Sequence, residues 1–241
     1  MSIPIRVVDV QLGEESFRYR TPIKFGGVAL DKATILHAHV VVEDQQGRQH
    51  VGFGSMPMGN IWAFPSRHLS YEKTLQIMLE IAEEAAQQTR EYQQWGHPLE
   101  IGHALEPIYR RAALERSQTS EETPPILAVM VACSPIDAAI HDAYGKLLGL
   151  SSYACYEPPY LDRDVGSFLG REFDGVQFRD HIRSTPVDKL PLYHLVGALD
   201  ALTPGDVAPQ SRQAEYPAHL LAWIARDQLS HFKIKLQGDD L

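Results

Sequence analysis

The chain has 241 residues, of which 44% are hydrophobic and 22% charged, which is the composition of an ordinary globular protein and not of a disordered one. Its formal net charge is −9, and its Lys and Arg residues form no cluster of more than two or three, so neither nucleic acid nor a membrane is an expected partner. With two cysteines, no signal-peptide pattern and no run of about 18 apolar residues, we expect a cytoplasmic protein without disulfides.

The first 54 residues predict a small antiparallel meander of three strands. The strands are expected over residues 5–12, 34–43 and 48–54, with Asp44-Gln45-Gln46-Gly47 as the turn between the last two. A polar loop is expected between the first two strands, and it ends in Phe25-Gly26-Gly27, where glycine permits conformations closed to other residues. A second loop, residues 55–67, contains Trp62.

Helical periodicity begins after Ser70, which is a suitable helix cap. A long amphipathic helix is predicted to about Glu91, and a second helix is predicted over residues 101–112. The sequence Ser134-Pro135-Ile136-Asp137 places a hydroxyl, a proline and an acid as at a helix start. We therefore predict a third helix from Ser134 to Leu148, ended by Gly149.

In the last third of the chain, the composition and the hydrophobic pattern change at residue 151 and again near residue 190. Residues 151–188 are rich in Tyr, Pro, Asp, Gly and Arg without a clear period, and we predict an irregular excursion there. Residues 190–197 and 231–236 then read as strands on either side of a helix over 216–229. A strand, a crossover helix and a strand predict a parallel pair.

One segment carries a family resemblance. Residues 134–150, SPIDAAIHDAYGKLLGL, closely resemble the helix that ends the capping segment in mandelate racemase and muconate lactonizing enzymes of the enolase superfamily. Two more segments resemble the family and occur in the same order along the chain. They are Arg20-Thr21-Pro22 with Phe25-Gly26-Gly27, and Lys233-Ile234-Lys235 followed by Leu236-Gln237-Gly238-Asp239. The excursion departs from the family, since many members have a short Gly-rich link there.

The resemblance implies a fold and a domain order. It implies an α+β capping domain over residues 1–150, made of the three-stranded meander and helices, then the excursion over 151–188. Residues 189–241 would be the first βαβ unit of a β/α (TIM-type) barrel, which is incomplete in this chain. The barrel strands that carry the magnesium ligands in the family would follow, so no metal ligand is assigned here, and the chain by itself is not expected to catalyse.

The Lys-x-Lys strand is the strongest sign of chemistry. Side chains two apart on a strand share a face, so Lys233 and Lys235 are expected to project together, with Ile234 pointing toward covering helices. By resemblance, Lys235 is the base that removes the proton next to a substrate carboxylate, with Mg²⁺ stabilising the enediolate, and Lys233 tunes it. The alternative for an isolated Lys-x-Lys is an exposed edge strand protected from aggregation.

The resemblance also implies the substrate class and its contacts. Phe25, Gly26 and Gly27 would belong to a loop that closes over the substrate, and Trp62 to a second such loop; the alternative is a tight turn with core aromatics. The expected substrate is a small carboxylate or acid sugar, the expected reaction is dehydration or isomerisation, and a homo-oligomer is expected. The rival hypothesis is a non-catalytic capping or interaction module.

Three other groups of residues favour structural roles over chemistry. A histidine pair two apart on a strand could bind a metal, but satisfied strand histidines are the commoner case. A His-Asp pair inside the third helix resembles a catalytic dyad, but helix packing is favoured. Acids in the excursion could hold a cation, and a solvated loop is favoured. These groups are His37 and His39; His141 and Asp142; and Asp162, Asp164, Glu172 and Asp174.

Overall fold

The computed structural model describes residues 3–25, 28–117, 122–207 and 216–236. The chain divides into two compact units. The first consists of residues 1–16 and 34–186, and the second of residues 17–33 and 187–241.

The expected meander is present as a three-stranded antiparallel sheet. Its strands are β1 (Ile5–Phe25), β2 (Val28–Asp44) and β3 (Gln49–Pro57), in the order β1-β2-β3. The prediction of a polar loop between the first two strands was wrong, because β1 and β2 continue as a long hairpin. The two strands satisfy each other's backbone groups, and an ion pair of 2.7 Å between Arg18 and Asp31 joins them.

Strand β2 shows the alternation that places one sheet face in the core. Leu36, Ala38, Val40 and Val42 are almost fully buried, while the residues between them are more exposed. The register with β3 pairs His37 with Ser55 and Val42 with His50. Because the side-chain period of a strand is two, this register fixes which face the helices cover.

Four helices follow the sheet in the first unit: α1 (Asn60–Ala63), α2 (Tyr71–Glu91), α3 (Pro98–Ser117) and α4 (Ile126–Leu148). The predicted cap of α2 is confirmed, since the Ser70 hydroxyl accepts a hydrogen bond from the Lys73 N–H. Gly149 ends α4 with φ 67°, as predicted. Helices α2, α3 and α4 pack on one another, and α4 packs on β3.

Helix α4 begins eight residues before the predicted start, so the start at Ser134 was wrong. The Ser134 hydroxyl donates to the Val131 carbonyl instead of capping a helix, and Pro135 lies inside α4. The apolar residues 126–133 extend the helix because most of them are buried, which outweighs the hydrogen bond lost at proline. By length and composition alone α4 could cross a membrane, but most of its apolar window is buried, as in the core helix of a globular protein.

The excursion is irregular, as predicted. It contains a short helix, α5 (Gly166–Leu169), and 3₁₀ turns at Ser152–Cys155, Arg171–Phe173 and Phe178–His181. Residues 151–186 belong to the first unit. They pack against α3 and α4 through ring contacts, among them His103 with Phe168 at 5.5 Å.

The second unit contains the predicted strand, helix and strand, with shorter bounds. Strands β4 (His194–Val196) and β5 (Phe232–Ile234) form a parallel pair, and helix α6 (Leu220–Asp227) connects them. A 3₁₀ turn, Pro204–Asp206, precedes α6. The prediction of a parallel pair is confirmed.

Candidate functional site

The two lysines of the Lys-x-Lys motif lie on and directly after β5. Leu195 of β4 pairs with Lys233, and the Lys235 N–H donates to the Val196 carbonyl at 2.9 Å, so the ladder continues past the end of the strand. The side chain of Lys233 is exposed and its Nζ lies 5.6 Å from the centre of the Tyr193 ring, while Lys235 is half-buried. A cation over an aromatic face is a favourable contact.

The surroundings of the lysines differ from the expectation at one residue. Ile234 was expected to point toward covering helices, but 65% of it is exposed, so within the described residues it lacks such a cover. A short parallel pair with one helix covers only part of its own surface. Residues Gln237 to Asp239 of the motif lie outside the described part of the chain.

A cavity of about 260 Å³ lies beside β4 in the second unit. Its wall is aromatic and imidazole-rich: Trp223 lies 5.4 Å from the His194 ring, and the His219 Nδ1 caps α6 by accepting from the Ala222 N–H at 3.2 Å. The Asp200 carboxylate accepts from the Gly197 N–H at 2.6 Å. Neither Lys233 nor Lys235 is among the residues that line it.

The expected substrate loops are described only in part. Phe25 is the last residue of β1, whereas Gly26 and Gly27 lie outside the described residues. Trp62 lies in α1 and is 41% exposed. Its indole lies directly over Gly59, where a Cβ atom would come within 2.3 Å of the Trp62 Nε1, and Gly59 has φ 48°. Glycine at 59 therefore permits the position of this ring.

The histidine pair on β2 contacts an aromatic ring. His37 and His39 lie 5.5 and 5.1 Å from the ring of Phe53 on β3. His37 Nε2 also lies 3.4 Å from a carboxylate oxygen of Glu15. These contacts favour the structural role of the pair.

The two side chains of the His-Asp pair in α4 contact different parts of the structure. Asp142 accepts hydrogen bonds from the Phe53 N–H at 2.8 Å and from the Lys146 Nζ at 2.6 Å. His141 lies on the other side, with its Nδ1 2.9 Å from the Tyr156 hydroxyl of the excursion. The two side chains join α4 to different neighbours, which favours packing over a catalytic dyad.

Asp164 of the excursion has a local role. Its carboxylate accepts from the N–H and hydroxyl of Ser167 and from the Gly175 N–H at 2.7 Å. These bonds, that from Gly175 first, hold the pKa of this carboxyl below its ordinary value. Such bonds organise a turn.

Sequence reasoning missed a buried cluster around His97. This residue is 1% exposed, and its ring lies 5.1 Å from Tyr144, 5.7 Å from Tyr156 and 6.3 Å from His141. Burial, with a smaller contribution from His141, lowers the pKa of His97 to about 4. The available signal was His97-Pro98-Leu99-Glu100, in which an acid stands three residues after a polar cap, followed by a helical pattern.

Beneath the excursion, helices α3 and α4 form a groove of about 380 Å³. Leu105 and Met130 line it on the helices, and Phe168 and Leu169 of α5 form a wall. The thiol of Cys133 lies at this groove and is almost fully buried, and burial raises its pKa above the ordinary value. A thiol in that state is inert rather than nucleophilic.

A magnesium site does not fit the described residues. Among residues 3–25, 28–117, 122–207 and 216–236, no three His, Cys, Asp or Glu side chains come together as potential ligands. Magnesium requires oxygen ligands in near-octahedral geometry. No catalytic step can therefore be derived through a metal from these residues.

Comparisons with known proteins gave matches among solved structures. No family model and no curated protein matches the sequence. The L-talarate/galactarate dehydratase of Salmonella typhimurium LT2 matches 63% of this chain and 33% of its own, with 20% identity and a TM-score of 0.39. The dipeptide epimerase of Enterococcus faecalis V583, solved with Mg and L-Leu-L-Tyr, matches 64% and 35%, with 17% identity and a TM-score of 0.40.

A third match is the L-talarate dehydratase of Polaromonas sp. JS666, solved with Mg and L-glucarate, over 67% of this chain and 37% of that one, with 20% identity and a TM-score of 0.38. The chain spans about a third of the length of these structures. These structures share at most 20% identity with the chain and have TM-scores of 0.40 or less, so the resemblance of the sequence to the enolase superfamily stays a prediction.

Proposed function

We propose that the protein takes part in removing the proton next to a substrate carboxylate, with Lys235 as the base and Lys233 as the residue that tunes it. The observation that carries the proposal is the position of the two lysines. They lie at the second strand of a parallel pair joined by a crossover helix, where the family pattern has its Lys-x-Lys.

In this proposal, residues 189–241 are the first βαβ unit of a β/α barrel. The parallel pairing of β4 with β5 supports it, and so do the exposed apolar side chains of the second unit, since barrel strands are covered on both faces. These include Leu190 and Leu192, at 73% and 84% exposed, and Leu236 at 87%. Magnesium, held by residues other than those described, would stabilise the negative charge that forms on the substrate.

The proposed substrate is an acid sugar or a related small carboxylate, turned over by dehydration or isomerisation. Phe25 at the end of β1, Trp62 in α1, and Gly26 and Gly27, which lie outside the described residues, are proposed to contact it. We also propose a homo-oligomer in the cytoplasm, where the two buried free thiols, Cys133 and Cys155, would stay reduced.

The test is exchange of the α-proton with solvent deuterium, followed by NMR. Galactarate and glucarate are the first substrates to try, with Mg²⁺ present, and the protein is expressed from its whole reading frame. Wild type and the control Lys189→Ala, an exposed lysine of the same unit, should exchange the proton, and Lys235→Ala should not. Exchange that survives in Lys235→Ala would overturn the assignment of the base.

The second candidate function is a non-catalytic module that binds another protein. The same exposed apolar residues of the second unit favour it, because exposed apolar side chains are what a partner protein would cover. Absence of α-proton exchange in the wild-type protein, together with a stable complex in solution, would support this candidate over the first.

A further inference from the structure

The imidazole of His97 has two different hydrogen-bond partners. Its Nδ1 accepts from the Leu99 N–H at 3.1 Å, and its Nε2 lies 3.0 Å from the carbonyl oxygen of Cys155. A carbonyl accepts only, so Nε2 carries the proton and Nδ1 does not. The bond to Leu99 requires the neutral ring, whereas the bond to Cys155 requires only that Nε2 carry a proton.

The bond to Leu99 makes His97 the cap of helix α3. The Glu100 carboxylate accepts from the His97 N–H at 2.9 Å, which completes a reciprocal arrangement like the capping box of Ser or Thr. The His97 carbonyl accepts from the N–H groups of Glu100 and Ile101 at the start of the helix. The ring therefore satisfies a backbone donor in the first turn of the helix, where N–H groups have no partner within the helix.

The bond to Cys155 fastens the excursion. Cys155 ends the first turn of residues 151–186 and is 1% exposed. The next residue, Tyr156, stacks on His141 at 5.6 Å and is hydrogen-bonded to it. Further along, Arg163 pairs with Glu100 at 3.4 Å. Three of the attachments of the excursion to α3 and α4 thus meet at or beside His97.

We propose that His97 is an acid-sensitive clasp: in its neutral form it caps α3 and holds residues 151–186 against α3 and α4, and when protonated it releases them. Protonation of Nδ1 would set an N–H against the Leu99 N–H and remove the cap. The new charge would also lie at the N-terminus of α3, which is the positive end of the helix. A buried imidazolium whose Nδ1–H lacks an acceptor is costly, and separation of the excursion would open the charged ring to water.

The groups that face His97 offer little to balance that charge. Glu100 is already engaged by the His97 N–H and by Arg163, and His141 has its own acid, Asp137, at 3.9 Å. The titratable groups around the ring are Glu100 from α3, His141 and Tyr144 from α4, and Cys155 and Tyr156 from the excursion. Burial, the largest cause, lowers the pKa of His97 to about 4 and also lowers that of His141.

Release of the excursion would have a structural consequence. Phe168 and Leu169 of α5 form a wall of the groove between α3 and α4, and the Phe168 ring lies against His103 and Phe178. Removing that wall would expose the apolar residues of the groove while the sheet and the helices remain folded. Binding of a proton to His97 would therefore expose an apolar surface.

Hydrogen exchange measured by mass spectrometry as a function of pH tests the clasp. After correction for the intrinsic exchange rate, protection of amides in residues 151–186 should fall about tenfold per pH unit below about pH 6.5, as linkage to one proton requires. Amides of β2 should keep their protection. In His97→Gln, whose amide both donates and accepts but does not titrate, the pH dependence should vanish.

The matched control is His103→Gln, an exposed histidine of the same helix that contacts the Phe168 ring of the excursion; it should keep the wild-type pH dependence. Protection of residues 151–186 that does not change with pH, or that falls with pH equally in His97→Gln, would overturn the proposal. Should His97→Gln not fold, the His97 ring is titrated by NMR in the wild-type protein. Titration that coincides with loss of protection supports the clasp, and titration with the excursion still protected contradicts it.

Discussion

A Cβ atom at Gly54 would lie 1.9 Å from the carbonyl oxygen of Pro135. Strand β3 thus touches the backbone of helix α4, and Gly52 makes the same kind of approach to Ala139, also at 1.9 Å. Beside these contacts, the Phe53 N–H donates to Asp142 of α4. The helix packs on the buried face of β3, and glycine at both positions is what allows it to come so close.

Gly54→Ala should therefore destabilise the protein. The added methyl meets backbone, which cannot rotate away, so β3 and α4 must separate, at a cost of about 1–3 kcal/mol or more in the free energy of unfolding. Urea unfolding followed by circular dichroism measures it. Gly13→Ala in β1 is the matched control, because a Cβ there meets no described atom within 4 Å. Equal stability of the two variants would show that helix and strand are less closely packed.

Asp44 at the β2–β3 turn should matter through its hydrogen bonds. The carboxylate is 1% exposed and accepts from the Arg48 N–H, the Arg48 side chain and the Gln46 N–H. Asp44→Ala should cost about 2 kcal/mol, measured by urea unfolding. Gln45→Ala, an exposed position of the same turn, should change little. A loss in Gln45→Ala as large as that in Asp44→Ala would mean that the turn, not the carboxylate, sets the stability.

The same carboxylate should contribute to unfolding in acid. Burial acts to raise the pKa of Asp44, but the hydrogen bonds from Arg48 and Gln46 outweigh it, and the pKa lies below its ordinary value of 3.8. Its stabilisation is present above that value and is lost as pH falls through the folded-state pKa. The difference in stability between wild type and Asp44→Asn should therefore shrink at pH values below 3.8, and a constant difference would contradict this.

Protonation of His97 should lower the free energy of unfolding in a higher pH range than protonation of Asp44. Its pKa is lowered from 6.5 to about 4 in the folded state, so the unfolded chain binds the proton first. The stabilisation is complete above pH 6.5 and is lost as pH falls toward about 4, by roughly 3 kcal/mol in all. Thermal unfolding of wild type and His97→Gln between these values measures it. An unchanged pH profile in the variant would contradict the role of the neutral ring.

Trp62 provides a test of the proposed substrate loop. Trp62→Ala should raise the KM for an acid-sugar substrate, because a side chain that closes over the substrate contributes binding. The exposed Trp95 of the same unit, changed to Ala, is the control for loss of an aromatic ring. Equal KM values for wild type and Trp62→Ala would remove Trp62 from the substrate contacts.

Much of the fold could be predicted because its signals are local. The alternation in β2, the cap at Ser70 and the terminating Gly149 are each recorded within a few residues. The start of α4 could not be predicted, because Pro135 locally signals the start of a helix. The helix extends back through Pro135 because most of residues 126–133 are buried in the tertiary structure. The hairpin of β1 and β2 is longer than predicted because pairing between strands, and not hydrophobic alternation, maintains it.

The site was predictable only where it resembles a family. Lys233 and Lys235 are recognised from their spacing and from the segments around them, and their roles stay predictions, as do the contacts of Phe25, Gly26, Gly27 and Trp62. The role of His97 could not be predicted because its second partner, the Cys155 carbonyl, lies 58 residues further along an irregular segment. No periodic pattern specifies such a contact.

The most direct test of the central claim is the rate of α-proton exchange into deuterated water for wild type and Lys235→Ala, with Mg²⁺ and an acid sugar. We predict exchange in the wild-type protein and its loss in Lys235→Ala at unchanged circular dichroism. Exchange at the wild-type rate in Lys235→Ala, or no exchange in the wild-type protein, would contradict the proposal that this strand carries the base.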